Sequence, residues 1–221
     1  MAGQTHPRNG ADHVPKLRIA TPVGPSVVEL DTVAGARRLL VLGHGAGGSI
    51  EAPDLLAVRT ACLASGISVA RVIQPYRVAG RKATPPTGTL DQAWRAVIAS
   101  LGRRKATAGL DLVYGGRSSG ARVACRTAAD GLTTPRAVAV LALAFPLHPP
   151  GRPEKSRLPE LAGVGVPVLV VQGVNDPFGM PEPAPGGRVE PVPGDHGLTR
   201  ETARNGALVA GWISALAAPA G

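Results

Sequence analysis

Aromatic residues are scarce in this sequence: its 221 residues include two tryptophans, two tyrosines and two phenylalanines. With so few rings, a core must be built mainly from the aliphatic side chains of Val, Leu, Ile and Ala. Hydrophobic residues make up 44% of the chain, and a chain of this length can bury a stable core without cross-links. We expect a flexible tail over residues 1–16 and a single domain over residues 17–221.

Cysteine is equally rare, since the chain has Cys62 and Cys125 alone. Both lie in apolar stretches with helical spacing, far apart in sequence, which is not the pattern of a disulfide framework. We predict that both are buried free thiols. No cysteine, histidine and carboxylate positions show the spacing of a zinc site, so the sequence predicts neither a metal nor a cofactor.

Long apolar runs are missing as well. A membrane-spanning helix needs about 20 consecutive apolar residues, and no segment of this chain approaches that length. Residues 1–16 are polar and do not resemble a secretory signal. These features predict a cytoplasmic protein that does not contact a membrane.

Lysine and arginine outnumber the acidic residues by 24 to 15, and the net charge is +9. Binding to nucleic acid requires that such charge be clustered on one surface. Here the basic residues are scattered along the chain and alternate with apolar residues, as on the solvated faces of helices. This pattern favours a basic surface in solvent over a nucleic-acid partner, and it predicts no oligomeric state.

Along most of the chain, short apolar runs alternate with segments whose apolar residues recur at helical spacing. Unbroken apolar runs of this length are typical of strands that are buried on both faces of a parallel sheet. The predicted strands are Leu39–Leu42, Val69–Ile73, Leu110–Tyr114, Val138–Phe145 and Val166–Val171, after an N-terminal hairpin formed by Lys16–Thr21 and Ser26–Thr32. Such alternation predicts an α/β fold with a doubly wound, mostly parallel sheet flanked by helices.

Two proline-rich segments, Pro75–Thr89 and Pro146–Pro159, are predicted as loops because proline cannot donate a backbone hydrogen bond. The second segment follows the strand that ends at Phe145. The whole stretch between that strand and the next, residues 146–165, holds at most one short helix around Arg157–Ala162 and is too short to fold into a cap domain. We therefore expect an uncovered site.

The segment Gly116-Arg117-Ser118-Ser119-Gly120 follows a predicted strand and opens a helical stretch from Ser119 to Ala129. In a nucleophile elbow, a serine sits in a strained turn, and small residues two positions before and after it let strand and helix approach. Gly116 and Gly120 provide this clearance for Ser118. The sequence therefore predicts Ser118 as nucleophile and the backbone N–H of Ser119 as an oxyanion donor.

The acid and the base follow in the chain order Ser, Asp, His that is typical of this arrangement. Asp176 lies just beyond a predicted strand, and His196 lies in a loop before the last helix. We predict Asp176 as the acid that orients His196. Asp195 is the rival acid, but its position next to His196 would require an awkward bend.

The glycine-rich loop Gly43–Gly48 is predicted to supply the second oxyanion donor, at Ala46. His44 in this loop and Arg117 in the elbow are predicted to contact substrate, and Arg117 would favour a carboxylate or phosphate. The alternative is that the arginines are simply solvated. The same loop spells a dinucleotide fingerprint, Gly43-x-Gly45-x-x-Gly48, but no acidic residue follows the next strand where the ribose would need one.

These residues together resemble a known family of bacterial α/β-hydrolases. It is a dienelactone-hydrolase-like group related to testis-expressed protein thirty and to the third regulatory subunit of the NSL histone-acetyltransferase complex. The resemblance runs from about Leu39 to Trp212 and is carried by Gly43–Gly47, Gly115–Arg122, Phe145–Gly151, Gln172–Gly179 and Asp195-His196. It implies an α/β-hydrolase fold with the triad named above. The sequence departs from the family at Gly197-Leu198, where Ser-Phe is expected, and this predicts altered packing beside His196.

The sequence is compatible with two functions. The first is a serine hydrolase acting on a small-molecule ester or thioester substrate. The second is a non-catalytic member of the fold that serves in binding or as a scaffold, which the eukaryotic relatives suggest. The presence of all three triad residues favours the hydrolase.

Overall fold

A computed structural model describes residues 15–217 and contains one eight-stranded sheet. The strands are β1 (Lys16–Ile19), β2 (Ser26–Asp31), β3 (Arg38–Gly43), β4 (Ser68–Ile73), β5 (Asp111–Arg117), β6 (Ala137–Leu143), β7 (Val168–Gly173) and β8 (Gly187–Val192). Their order across the sheet is β1-β2-β4-β3-β5-β6-β7-β8. The tail predicted over residues 1–16 lies almost entirely outside the described residues, although Lys16 belongs to β1.

The sheet is antiparallel at one edge and parallel elsewhere. β1 pairs with β2 and β2 with β4 in antiparallel register, whereas the pairs from β4 through β3, β5, β6 and β7 to β8 are all parallel. The central strands are buried on both faces, which explains their unbroken apolar sequences. The carboxyl ends of the parallel strands meet at one edge, where ligands bind in such folds.

Six helices lie within residues 15–217. They are α1 (Pro53–Ala64), α2 (Pro75–Val78), α3 (Thr87–Gly102), α4 (Ser119–Ala129), α5 (Leu158–Ala162) and α6 (Thr202–Ala215). One core cluster includes Trp94 of α3 and Ala124 of α4, and the other includes Leu55 of α1 and Val209 of α6. No helix among residues 15–217 is long and apolar enough to cross a membrane.

Most of the predicted elements are confirmed. The N-terminal hairpin is formed by β1 and β2, and the helix after the proposed nucleophile runs over Ser119–Ala129, as predicted. Cys62 and Cys125 are buried free thiols. β8 was not predicted, because this edge strand includes Pro191 and lacks a strongly apolar sequence.

The prediction of a continuous loop over Pro75–Thr89 is wrong. Pro75 is the first residue of α2, and Pro86 is the residue before α3. Proline is tolerated at a helix start because the first N–H groups of a helix have no intrahelical acceptor. The second proline-rich segment behaves as predicted, since α5 is the only helix between β6 and β7.

Candidate functional site

The turn from β5 into α4 holds Ser118 in an unusual backbone conformation. Its φ is 52° and its ψ is −111°, outside the regions that residues other than glycine normally occupy. Such a conformation costs about 1–3 kcal/mol and persists only where the surroundings enforce it. Here the Ser118 N–H donates to the carbonyl of Leu143, at 2.8 Å, at the end of neighbouring strand β6.

Gly116 and Gly120 allow strand and helix to approach each other at this turn. A Cβ atom at Gly116 would lie 2.5 Å from the carbonyl carbon of Gly120, and one at Gly120 would lie 2.6 Å from that of Gly43. Both distances are far below normal carbon contacts, and both involve backbone that cannot simply rotate away. Only glycine fits at either position.

Ser118, His196 and Asp176 form a continuous chain of hydrogen bonds. The Nε2 atom of His196 lies 2.9 Å from Ser118 Oγ, and its Nδ1 atom lies 2.8 Å from Asp176 Oδ2. The ring of Phe178 packs against the imidazole with centroids 4.2 Å apart. Residues that are 20 and 78 positions apart in sequence are thus aligned for proton transfer.

The carboxylate of Asp176 is almost completely buried, with 1% of its side chain exposed. Its Oδ2 also accepts a hydrogen bond from Nε2 of Gln172, at 2.9 Å, and its Oδ1 accepts from the N–H of Phe178, at 2.9 Å. These donors fix the orientation of the carboxylate. Asp195 is exposed and instead accepts from the N–H of Gly197, at 2.9 Å.

The loops that carry Asp176 and His196 are joined directly. The N–H of Asn175 donates to the carbonyl of Gly194, at 2.9 Å. A Cβ atom at Gly173 would lie 2.5 Å from the carbonyl oxygen of Asp195, so the loops could not approach so closely with a larger residue there. The parallel pairing of β7 with β8 brings both loops to the same edge of the sheet.

The glycine-rich loop after β3 lies against the elbow. A Cβ atom at Gly45 would be 3.6 Å from the Cβ of Ser118. The Ala46 N–H meets no backbone acceptor within residues 15–217, and the Ser119 N–H is the first of α4, which an α-helix leaves without an intrahelical partner. The hydroxyl of Tyr76 donates to the carbonyl of Ala46, at 2.6 Å, and so fixes the loop from its other side.

His44 lies beneath this loop with 3% of its surface exposed. Its Nε2 accepts from the N–H of Gln74, at 3.1 Å, which requires the proton on Nδ1, and Nδ1 then donates to the carbonyl of Gly45, at 2.7 Å. Burial lowers the pKa of His44, which the bond to Gly45 partly offsets and the charge of Arg77 reinforces. A direct contact between His44 and substrate would require one of its two bonds to break.

The side chain of Arg117 turns away from solvent, with 18% exposed, and contacts two other segments. Its Nη2 donates to the carbonyl of His196, at 2.9 Å, and its Nε lies 3.0 Å from Oδ2 of Asp54. The guanidinium is therefore already engaged by groups of the protein.

Four residues at this site were not singled out in the sequence: Gln172, Phe178, Tyr76 and Asp54. Gln172 and Phe178 lie close to Asp176 in sequence, within the segment that carries the family resemblance. This closeness could have identified them as neighbours of the proposed acid. Tyr76 and Asp54 reach the site from α2 and α1, and no local motif connects them with it.

A cavity of about 350 Å³ adjoins the site between the turn after β1, helix α2 and the start of α3. Tyr76 lines it, but Ser118 and His196 do not. Within residues 15–217, no group of three or more His, Cys, Asp or Glu side chains is placed to hold a metal ion. The dinucleotide interpretation of the glycine loop is disfavoured, because α1 begins only at Pro53 rather than directly at the loop.

Solved structures with similar folds include several hydrolases. Est1E from Butyrivibrio proteoclasticus superposes with a TM-score of 0.73 at 14% identity, covering 90% of this chain and 97% of that one. A serine hydrolase without a lid from Xanthomonas campestris has a TM-score of 0.70 at 23% identity, covering 96% and 99%. Dienelactone hydrolase from Anabaena variabilis has a TM-score of 0.71 at 18% identity, covering 91% and 97%. At these identities, the likeness establishes the fold.

The predicted fold class is thereby confirmed, including a mostly parallel sheet without a cap domain. None of the curated protein sequences matches this chain. A family model described as an alpha/beta hydrolase domain matches residues 36–188. This match covers the glycine-rich loop, the elbow and Asp176, and the chain belongs to the alpha/beta-hydrolase family.

Proposed function

We propose that this protein is a serine hydrolase that cleaves small ester or thioester substrates, with Ser118 as nucleophile, His196 as general base and Asp176 as the orienting acid. The observation that carries the proposal is the unbroken hydrogen-bond chain from Ser118 Oγ through His196 to Asp176. Ser118 also lies on a strained turn, with a φ of 52°, and such strain is typical of functional sites.

In the proposed reaction, His196 Nε2 accepts the hydroxyl proton of Ser118 while Oγ attacks the substrate carbonyl carbon. The backbone N–H groups of Ala46 and Ser119 stabilise the negative charge on the carbonyl oxygen of the tetrahedral intermediate. His196 then donates its proton to the leaving alkoxide or thiolate, and the C–O or C–S bond breaks. His196 then takes a proton from water, whose oxygen attacks the carbonyl carbon of the acyl-serine. The bond from this carbon to Ser118 Oγ breaks, His196 returns the proton to Oγ, and the acid is released.

Asp176 has two tasks in this scheme. It holds the proton of His196 on Nδ1, so that Nε2 is free to accept, and its charge stabilises the imidazolium that forms. Its burial and its bonds from Gln172 and the Phe178 N–H keep the carboxylate in one orientation. The names of similar folds agree with this chemistry, since they include a dienelactone hydrolase and a serine hydrolase.

The substrate is proposed to be small because α5 is the only helix between β6 and β7, and it leaves no cap over the site. The closer relationship to testis-expressed protein thirty and the NSL subunit is also a proposal. It is the basis of the alternative function, a non-catalytic binding or scaffold protein. The aligned triad favours catalysis over that alternative.

Covalent labelling with a fluorophosphonate tests the proposed function directly, because such a reagent reacts with activated serines. We expect the wild type to be labelled once and Ser118→Ala to abolish labelling and ester turnover. Loss of a triad nucleophile lowers kcat by a factor of about 10⁶. Absence of labelling in the wild type would reject the hydrolase, and loss of labelling in Ser119→Ala alone would show that the nucleophile is the next residue.

A further inference from the structure

Arg117 connects the elbow to the loop that carries the base. It immediately precedes Ser118, yet its Nη2 bonds the main-chain carbonyl of His196, at 2.9 Å, across 79 positions of sequence. A Cβ atom at Gly45 would lie 3.2 Å from its Nη1, so the oxyanion loop packs against the same guanidinium. One side chain thus contacts the loops of the nucleophile, the base and the oxyanion donors.

Asp54 holds the other end of this guanidinium. It lies in the first turn of α1 with 4% of its side chain exposed, and its Oδ2 is 3.0 Å from Arg117 Nε. The contact is an ion pair that does not meet the geometric criteria of a hydrogen bond. Arg117 is the only cation that pairs with Asp54 within residues 15–217, and a buried carboxylate needs such a partner.

Besides the bond from Arg117, the backbone around His196 has one bond to another loop, from Asn175 N–H to Gly194 O, at 2.9 Å. Its other bonds are local, from Gly197 N–H to Asp195 Oδ1, at 2.9 Å, and from Leu198 N–H to Asp195 O, at 3.2 Å. Leu198 has a φ of 47°, a conformation that a leucine adopts only when it is held there. Leu198 itself is buried, with 1% exposed, and anchors the far end of the loop.

We propose that Arg117, fixed by Asp54, is a positioning residue that sets the backbone of His196 and thereby the distance from its imidazole to Ser118 Oγ. The proposal rests on the proposed function and replaces substrate binding as the expected role of Arg117. Its Nε and Nη2 face protein groups and are not available for a carboxylate or phosphate. A displacement of about 1 Å at a reacting group can lower the rate about 10²-fold.

The two roles predict different kinetics for Arg117→Met, which keeps the aliphatic stem but removes the guanidinium. A positioning residue affects the chemical step, so we expect kcat to fall about 10²-fold with KM unchanged. The factor should be equal for neutral and anionic esters of matched acyl length. A substrate-binding arginine would instead raise KM for the anionic ester and leave the neutral one unaffected.

Arg122→Met is the matched control. Arg122 is 20% exposed and forms a two-pronged ion pair with Glu160, so it resembles Arg117 in burial and pairing. Only its backbone N–H contacts the triad, at the Ser118 carbonyl, and the substitution leaves that bond in place. Asp54→Asn removes the charge while leaving the bond from Arg117 to the His196 carbonyl, and we expect a smaller loss of kcat. Arg117→Lys should recover only part of the activity, because one ammonium cannot reach both partners.

Hydrogen exchange gives a readout that does not depend on turnover. Loss of the Arg117 bond should accelerate exchange in a peptide spanning residues 194–198 in Arg117→Met and not in Arg122→Met. Equal effects in both variants, or a KM effect confined to anionic esters, would overturn the proposal. If the wild type hydrolyses no ester but exchange accelerates only in Arg117→Met, the proposed function fails while the positioning role stands.

Discussion

Replacing Asp176 by asparagine tests the triad most sharply, because every atom of this carboxylate has a donor as neighbour. Oδ2 accepts from His196 Nδ1 and Gln172 Nε2, and Oδ1 accepts from the Phe178 N–H. An asparagine must place its NH₂ group at one of these two positions. Either orientation therefore brings a donor against at least one other donor.

Gln172 cannot relieve this conflict by turning its amide over. Its Nε2 also donates to the carbonyls of Phe145, at 3.1 Å, and Gly179, at 2.8 Å, and its side chain is fully buried. A turned amide would set its oxygen against both carbonyls. We expect Asp176→Asn to lower the free energy of unfolding by about 1–3 kcal/mol, the cost of leaving a buried polar group without its partner.

The effect on catalysis should be larger than the effect on stability. With an NH₂ group facing Nδ1, the imidazole takes its proton on Nε2 and can no longer accept one from Ser118, which lowers kcat by a factor of about 10⁴. Steady-state hydrolysis of p-nitrophenyl acetate and urea unfolding measure the two effects. Asp195→Asn is the matched control, since this exposed carboxylate caps the N–H of Gly197 and should change kcat little. A larger loss in Asp195→Asn than in Asp176→Asn would refute the assignment of the acid.

Two further predictions follow from the uncovered site and from burial of a histidine. A site without a cap offers little apolar surface to a long acyl chain, and each buried methylene contributes only about 0.8 kcal/mol. We therefore expect kcat/KM for p-nitrophenyl esters to fall steeply when the acyl chain exceeds about four to six carbons. A maximum at palmitate would show that the segment after β6 closes over the site. Because burial lowers the pKa of His44 below 6.5 in the fold, the unfolded chain binds its proton at higher pH. The stability that neutral His44 contributes is present above pH 6.5 and is lost as the pH falls from there towards the lowered folded pKa. Urea unfolding of wild type and His44→Gln at pH 7 and pH 5 measures this effect. The free energy of unfolding should decline less in the variant than in the wild type between pH 7 and pH 5, and equal declines would contradict this reasoning.

Local patterns predicted much of this fold, because its signals are short-range. Strands β3 to β7 are recognisable as apolar runs since parallel strands are buried on both faces. The start of α4 at Ser119 is recognisable because Gly116 and Gly120 mark a close approach of strand and helix. The starts of α2 and α3 were missed because proline was interpreted as a helix breaker, whereas Pro75 opens α2.

The distinction between Asp176 and Asp195 shows where sequence reasoning ends. Chain order favoured Asp176, and so did the awkward bend that Asp195 would need to contact the ring of its neighbour His196. The sequence does not show which of the two carboxylates lies beside the imidazole. The structure separates them by environment, since Asp176 is buried among three donors and Asp195 faces solvent. Local sequence does not encode which carboxylate the packing will enclose.

By itself, the sequence determined the α/β architecture, the elbow at Ser118 and the candidates for acid and base. These features depend on residue type and spacing within a few positions, which is where steric and hydrogen-bonding rules act directly. Tertiary structure alone decided which groups bind the side chains of Arg117 and His44. Arg117 contacts Asp54 and the His196 carbonyl. His44 contacts the backbone of Gly45 and Gln74. Those contacts join segments far apart in the chain, and their geometry is set by how the strands stack into one sheet.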